Sequence, residues 1–131
     1  MSLSYGIVTP VLNQADDLRR LASQVLEQTV MPTAWVVVDQ GSVDRTGAVA
    51  ESLAREHPWI RVASTQTDRA PQVAPIVHAF HVGLAELDPT PDVVVRLEAD
   101  TSLDGADFER LLEKRVSEAH LAVAARPEAR G

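Results

Sequence analysis

The sequence contains no cysteine, which excludes disulfide bonds, thiolate zinc sites and catalysis by a cysteine nucleophile. This absence fits a reducing compartment, so we expect a cytoplasmic protein. No apolar stretch approaches the roughly 20 residues that a membrane-spanning helix needs, and the amino terminus lacks the pattern of a signal peptide. The 131 residues are enough for one domain and hardly enough for two, so we expect a single domain over residues 1–131.

Positive charge is also scarce. Only 12 Lys and Arg residues stand against 19 Asp and Glu residues, which gives a formal net charge of −7. Binding to a nucleic-acid backbone needs clustered cations, so we expect no nucleic-acid partner. A single nucleotide is not excluded, because one divalent metal ion can supply the positive charge that its phosphates require.

Glycine is missing where two large nucleotide-binding classes need it. The segment that follows the first apolar run, residues 9–13, has no glycine, which excludes a dinucleotide-binding turn and disfavours a nucleotidyltransferase. The chain also lacks the Gly-x-x-x-x-Gly-Lys pattern of a P-loop enzyme. A nucleotide site in this chain would therefore have to use other residues.

Short apolar runs alternate with segments of helical periodicity along the chain. The runs predict strands at residues 5–8, 35–38, 60–63, 93–95 and 121–125. The helical segments begin after Asn13 or Asp16, near Asp44, at Pro75 and after Asp104, where these side chains or the proline ring suit a helix start. The third helix is expected to bury Ile76, Val77, Phe80, Leu84 and Leu87. This order predicts an α/β fold, a three-layer sandwich with a mostly parallel sheet and helices on both faces.

Acidic residues stand where two of the predicted strands end. Asp39 ends the second run, and Glu98 and Asp100 follow the fourth in an acid-x-acid pattern. Ligands of open parallel sheets bind beyond the carboxyl ends of the strands. Carboxylates two residues apart in an extended segment point the same way and suit Mg²⁺ or Mn²⁺. Aspartate is also common at such junctions for structural reasons, so the conjunction of the three acids carries the prediction.

Three blocks of the sequence resemble family 2 glycosyltransferases, inverting enzymes of the GT-A fold. Residues 7–13 (Ile-Val-Thr-Pro-Val-Leu-Asn) are similar to the opening of that family, and residues 36–46 contain its strand followed by Asp-x-Gly-Ser and Asp-x-Thr. Residues 95–101 resemble its Asp-x-Asp block, with the helix that usually follows it. The order and spacing of the blocks agree along nearly the whole chain, and the second block is the most specific.

The resemblance implies a Rossmann-like core that binds a nucleotide-diphosphate sugar with Mn²⁺ or Mg²⁺. UDP is favoured as the commonest donor nucleotide in the family, the acceptor is unknown, and the implied activity is that of a hexosyltransferase. Nucleotide contacts are implied or expected at Thr9, Pro10, Asp39, Ser42, Arg69 and Glu98, and metal ligation at Asp100 and Glu98. The expectation for Arg69 depends on its loop position alone. From that position the side chain would contact the base or phosphate, or remain solvated.

The chain departs from the family pattern in several places. Glu98 stands where the first aspartate of the Asp-x-Asp block is usual, and residues 80–83 stand where relatives often carry an Arg-Asn pair. The catalytic base of relatives lies in a second half that binds the acceptor, and no residue here matches it. The alternative is thus a non-catalytic nucleotide-binding or assembly module, with a possible homodimer through an exposed sheet edge. The basic pair Arg19 and Arg20 is interpreted as a solvated helix face.

Overall fold

The computed structural model describes residues 3–65 and 75–115, in which strands and helices alternate. The strands are β1 (Tyr5–Val11), β2 (Ala34–Asp39), β3 (Ile60–Ser64) and β4 (Val93–Arg96). The helices are α1 (Ala15–Leu26), α2 (Thr46–Glu56), α3 (Pro75–Ala85) and α4 (Asp107–Arg115). The strand predicted at residues 121–125 and the candidate Arg69 lie outside the described residues.

The four strands form one parallel sheet in the order β3-β2-β1-β4. Strand β1 is central, and Ile7 stands in register with Trp35 on one side and with Val95 on the other. The chain builds the sheet outward from β1 to β3 and then returns to the opposite side of β1 for β4. The order reverses between β1 and β4, and ligands of open α/β sheets bind at the carboxyl end of such a reversal.

The larger core lies between one face of the sheet and helices α1, α2 and α4. Trp35, Tyr5 and Phe108 are its largest fully buried side chains, and the rings of Tyr5 and Phe108 are 4.9 Å apart. Burial raises the pKa of Tyr5, whose hydroxyl donates to the carbonyl oxygen of Val30. Helix α1 contributes four buried residues at helical spacing, Leu18, Leu21, Ala22 and Val25.

The opposite face of the sheet packs against α3. Its buried side chains alternate with those of the larger core, as expected of extended strands, and comprise Val8, Val36, Val38 and Val94. A side chain on Gly83 would overlap Val8 and would lie 3.1 Å from Val38 Cγ2, so the helix approaches the sheet closely because glycine stands there. Helices therefore cover both faces, and the predicted three-layer α/β fold with a parallel sheet is confirmed.

Two details of the helices differ from the sequence predictions. Val77 is 38% exposed and Ala79 is fully buried instead, whereas Leu87 is buried and Phe80 and Leu84 pack against this core as predicted. Helix α1 begins at Ala15, and the residue before it, Gln14, makes no capping bond with its side chain. Among the residues that the structure describes, no helix has the length and apolar character needed to span a membrane.

Candidate functional site at the carboxyl ends of the strands

Strands β1 and β2 end level with each other, and the loops that leave them meet. Val11 stands in register with Asp39, and the amide of Gln40 donates to the Val11 carbonyl at 3.0 Å. The first loop spans residues 12–14 and the second spans residues 40–45. Because both loops leave the same edge of the sheet, their main-chain groups can be joined by side chains.

Asn13 makes that connection. Its amide donates to Ser42 Oγ at 2.9 Å, and its side-chain oxygen accepts from the amide of Val43 at 2.8 Å. The residue has a φ of 52°, the left-handed region that asparagine tolerates better than most residues. The prediction that Asn13 or Asp16 caps α1 is therefore wrong, because α1 lacks a side-chain cap and Asn13 binds the second loop instead.

A second connection joins the loops through Thr46, which begins α2. The amide of Gln14 donates to Thr46 Oγ1 at 2.8 Å, and this hydroxyl in turn donates to Asp44 Oδ1. Asp44 also accepts from the Thr46 amide at 2.9 Å. These two hydrogen bonds from Thr46 lower the pKa of Asp44. Asp44 thus precedes the helix and satisfies an amide of its first turn, where a negative charge also suits the helix dipole.

Asp39 lies under the second loop and is half-buried. Its Oδ1 accepts from the Ser42 amide at 2.9 Å, and its Oδ2 faces the start of α2 at Gly47. Gly41 has a φ of 92°, a conformation that side-chain-bearing residues rarely adopt, so the loop can fold back over the carboxylate. The structure thereby brings together Asp39 and Ser42, two of the predicted nucleotide-binding residues.

Thr9 and Pro10 lie just below this edge and are buried. Thr9 has no exposed surface, and its Oγ1 accepts a hydrogen bond of 2.8 Å from Trp35 Nε1. The Thr9 hydroxyl is therefore bonded inside the fold. A contact between the nucleotide and the main chain of Thr9 or Pro10 stays a prediction.

The end of β4 carries an ion pair beside the remaining acids. Arg96 Nη2 donates to Glu98 Oε1 at 2.9 Å, with 39% and 35% of the two side chains exposed. The amide of Thr101 donates to the Glu98 carbonyl at 3.1 Å, which folds residues 98–101 into a turn that contains the half-buried Asp100. Glu98 was expected near the metal or the ribose of the nucleotide. In the structure, one of its carboxylate oxygens is paired with the guanidinium group of Arg96.

Arg96 is a residue of this site that the sequence predictions missed. It stands in register with Val8 on the α3 face of the sheet, and the three residues before it in β4 are buried valines. Its Nε atom is buried and makes no hydrogen bond among the described residues. The signal available in the sequence was a charged residue at the last position of an otherwise apolar strand.

Helix α1 also reaches the turn after β4. Arg20 donates from Nη1 to the Thr101 carbonyl at 2.9 Å and from Nη2 to the Ala99 carbonyl at 3.2 Å. The solvated helix face predicted for Arg19 and Arg20 is therefore wrong for Arg20, whose side chain is 26% exposed. Arg19 is 51% exposed and pairs with Asp16, as a surface residue would.

The geometry and the three sequence blocks agree with one family of proteins. The model of that family, glycosyl transferase family 2, matches residues 6–131 of this chain. The chain belongs to glycosyl transferase family 2. The match includes the four described strands, except for Tyr5 at the start of β1, and the loops at their carboxyl ends. A comparison with curated proteins gave no match.

Solved structures show the same fold in larger glycosyltransferases. A mannosyltransferase from Pyrobaculum calidifontis, in complex with GDP-Man and Mn²⁺, is 25% identical, with a TM-score of 0.59 over 76% of this chain and 28% of its own. Glucosyl-3-phosphoglycerate synthase from Mycobacterium tuberculosis, in complex with Mn²⁺, UDP and glucosyl-3-phosphoglycerate, is 21% identical, with a TM-score of 0.61 over 90% of this chain and 41% of its own. The family 2 chain thus spans less than half the length of these enzymes.

The described residues of this family 2 domain do not form a complete metal site by themselves. Within residues 3–65 and 75–115, no three acidic or histidine side chains converge as they would around a metal held by protein alone. Mg²⁺ in phosphate sites is typically bound by one or two carboxylates while phosphate oxygens and water complete its shell. One carboxylate at Asp100, with Glu98 in the same turn, fits a metal that the donor diphosphate helps to hold.

Two shallow grooves of the family 2 domain lie beside the strand ends. One, of about 260 Å³, runs between α1 and α2 along Arg19, Arg45 and Val49. The other, of about 370 Å³, lies at the start of α1 along Asn13 and Asp44. Neither groove is lined by Asp39, Glu98 or Asp100. The grooves therefore do not coincide with the strand-end acids.

Proposed function

We propose that this chain binds a nucleotide-diphosphate sugar through a divalent metal, and that the whole protein transfers the sugar to an acceptor. The observation that carries the proposal is the position of Asp39, Glu98 and Asp100 at the carboxyl ends of the strands on either side of β1. Two strand spacings separate β2 from β4, or about 10 Å, a distance that one nucleoside can span. The reversal of strand order lies within this interval.

Each acid is assigned a part of the donor. Asp39 would accept a hydrogen bond from the ring NH of the base, next to Ser42. Glu98 would contact the ribose or the metal, with one of its carboxylate oxygens bonded to Arg96. Asp100 would bind the metal that bridges the diphosphate. When bound, Mn²⁺ or Mg²⁺ would stabilise the negative charge that develops on the departing nucleoside diphosphate.

The nucleotide base and the metal are proposed from the relatives. One of the two solved enzymes was bound to GDP-Man and the other to UDP, and both contained Mn²⁺. We therefore take Mn²⁺ as the first metal to test, and UDP as the first nucleotide because it is the commonest donor of the family. Arg69 is retained as a candidate contact with base or phosphate, by its position in the chain after β3.

Calorimetric titration tests the proposal directly. The chain is titrated with UDP, GDP and dTDP, with and without Mn²⁺, beside Asp100→Asn. The control is Asp16→Asn, which removes the same charge from a side chain that is 99% exposed and paired only at the surface. We expect metal-dependent binding that is lost in Asp100→Asn and kept in Asp16→Asn. Failure of the wild type to bind any of the three nucleotides would overturn the proposal.

A binding or assembly module is the second candidate, and the edge of the sheet is the observation that favours it. In the described part of the sheet, β4 is the strand at one edge, and it is paired to β1 alone. A second copy of the chain could pair there. Light scattering at rising concentration separates the two candidates, since the enzyme proposal requires no dimer. A dimer without metal-dependent nucleotide binding would favour the module.

A further inference from the structure

Three polar side chains of α1 and the segment just after it bind the main chain that follows β4. Arg20 and Gln24 are four residues apart and lie on one face of α1, and Gln28 follows the carboxyl end of this helix. The segment that they contact, residues 99–108, begins with the acid-x-acid turn and ends in the first turn of α4. A helix that packs through leucines and valines thus also carries a line of polar contacts to one particular segment.

The contacts follow the segment in order. Arg20 donates to the carbonyls of Ala99 and Thr101, as described above. Gln24 accepts from the Leu103 amide at 2.9 Å. Gln28 donates to the Asp104 carbonyl at 2.7 Å and accepts from the Phe108 amide at 3.2 Å. Because these partners are main-chain groups, they fix the path of the backbone whatever side chains it carries.

Of these three side chains, Arg20 contacts the part of the segment that contains Asp100, the proposed metal ligand. The two carbonyls that it binds belong to the residues on either side of Asp100, so the backbone that carries this carboxylate is held before and after it. The planar guanidinium can donate to both carbonyls at once, which a lysine ammonium does with poorer geometry. Asp17 lies 3.7 Å from Arg20 and helps to keep the guanidinium in place.

We infer that Arg20 is a positioning residue for Asp100, whose carboxylate is the proposed metal ligand. It holds residues 99–101 in the turn that presents Asp100, so that binding of metal and diphosphate does not have to order the turn. This role rests on the proposed function, since Asp100 is the metal ligand proposed above. Removing a group that holds a metal ligand in its orientation typically lowers the affinity for the metal by roughly 10- to 100-fold.

Two variants separate the geometry of Arg20 from its charge. Arg20→Lys keeps the charge and loses the paired donors, and Arg20→Gln loses both. Arg19→Gln is the matched control, because it removes a charge from the next residue of the same helix without touching the turn. The affinity for Mn²⁺ in the presence of UDP is measured by electron paramagnetic resonance. Amide hydrogen exchange is measured without ligand, at Thr101, whose amide is bonded to Glu98, and at Val25 of the helix core.

We expect both Arg20 variants to weaken Mn²⁺ binding by roughly 10- to 100-fold and to speed exchange at Thr101 but not at Val25. Arg19→Gln should behave as the wild type in both measurements. Wild-type affinity in Arg20→Lys, or exchange that rises equally at Thr101 and Val25, would overturn the inference. If the wild type binds neither Mn²⁺ nor UDP, the proposed function fails, and unchanged exchange at Thr101 in the Arg20 variants would refute the positioning role as well.

Discussion

A Cβ atom on Gly47 would lie 3.1 Å from Asp39 Oδ2, closer than nine in ten real contacts of this kind. A side chain at residue 47 would therefore require the Asp39 carboxylate to shift by a few tenths of an ångström. This relationship couples a helix position, which could otherwise favour alanine, to the residue proposed to contact the nucleotide base. It predicts that binding and stability respond differently to the same change.

Gly47→Ala should weaken nucleotide binding while leaving the fold intact. The added methyl group would displace the Asp39 carboxylate, and alanine would favour the helix by up to about 1 kcal/mol. Calorimetric titration gives the affinity and urea unfolding gives the free energy. Gly105→Ala is the control, because a Cβ there meets only the Glu27 carbonyl at 3.5 Å. Unchanged affinity in Gly47→Ala would contradict the role of Asp39.

Thr9→Val tests the buried hydrogen bond between strands β1 and β2. Valine has nearly the shape of threonine but cannot accept from Trp35 Nε1, so a buried donor would be left unsatisfied at a cost of about 1–3 kcal/mol. Urea unfolding followed by circular dichroism measures this loss. The double variant Thr9→Val/Trp35→Phe should lose less than the sum of the single variants, since it has no orphaned donor. Strict additivity would show that the bond contributes nothing.

The lowered pKa of Asp44 makes a contribution to stability that depends on pH. A carboxyl group whose pKa is lower in the folded state stabilises the fold above its unfolded pKa, and the contribution is lost as pH falls through the folded value. We therefore expect wild type to be more stable than Asp44→Asn near pH 7, and the difference to shrink below roughly pH 4. Thermal unfolding across this pH range measures it. A difference that stays constant with pH would assign the effect to something other than the charge.

The layers of the fold could be predicted because buried strands and helices show a periodic pattern of apolar residues in the sequence. The continuous apolar run of β2 indicated a strand covered on both faces, and the leucine and valine spacing of α1 indicated one buried face. Helix α3 was harder, because it is apolar nearly all round and its periodicity does not distinguish its faces. The exposure of Val77 and the burial of Ala79 follow from the close approach at Gly83, which only the packed structure reveals.

The sequence located the acids of the candidate site at the strand ends, but it did not locate most of the side chains that hold the neighbouring loops in place. Asp39 and Asp100 stand at strand ends, which the order of elements locates. Asn13 binds a loop that comes about 30 residues later, and Arg20 binds main-chain carbonyls about 80 residues later. A carbonyl group is the same in every residue, so the sequence contains no pattern that marks it as a partner.

The position of β1 in the sheet has a consequence for how the protein is made. Its first neighbour, β2, is the next strand to leave the ribosome, whereas its second neighbour, β4, follows only after three helices and two further strands. During that interval the most buried strand of the nascent chain has one open edge, which is the kind of surface that pairs with other chains. We therefore expect aggregation of the nascent chain to depend on the time that passes between the synthesis of β2 and that of β4.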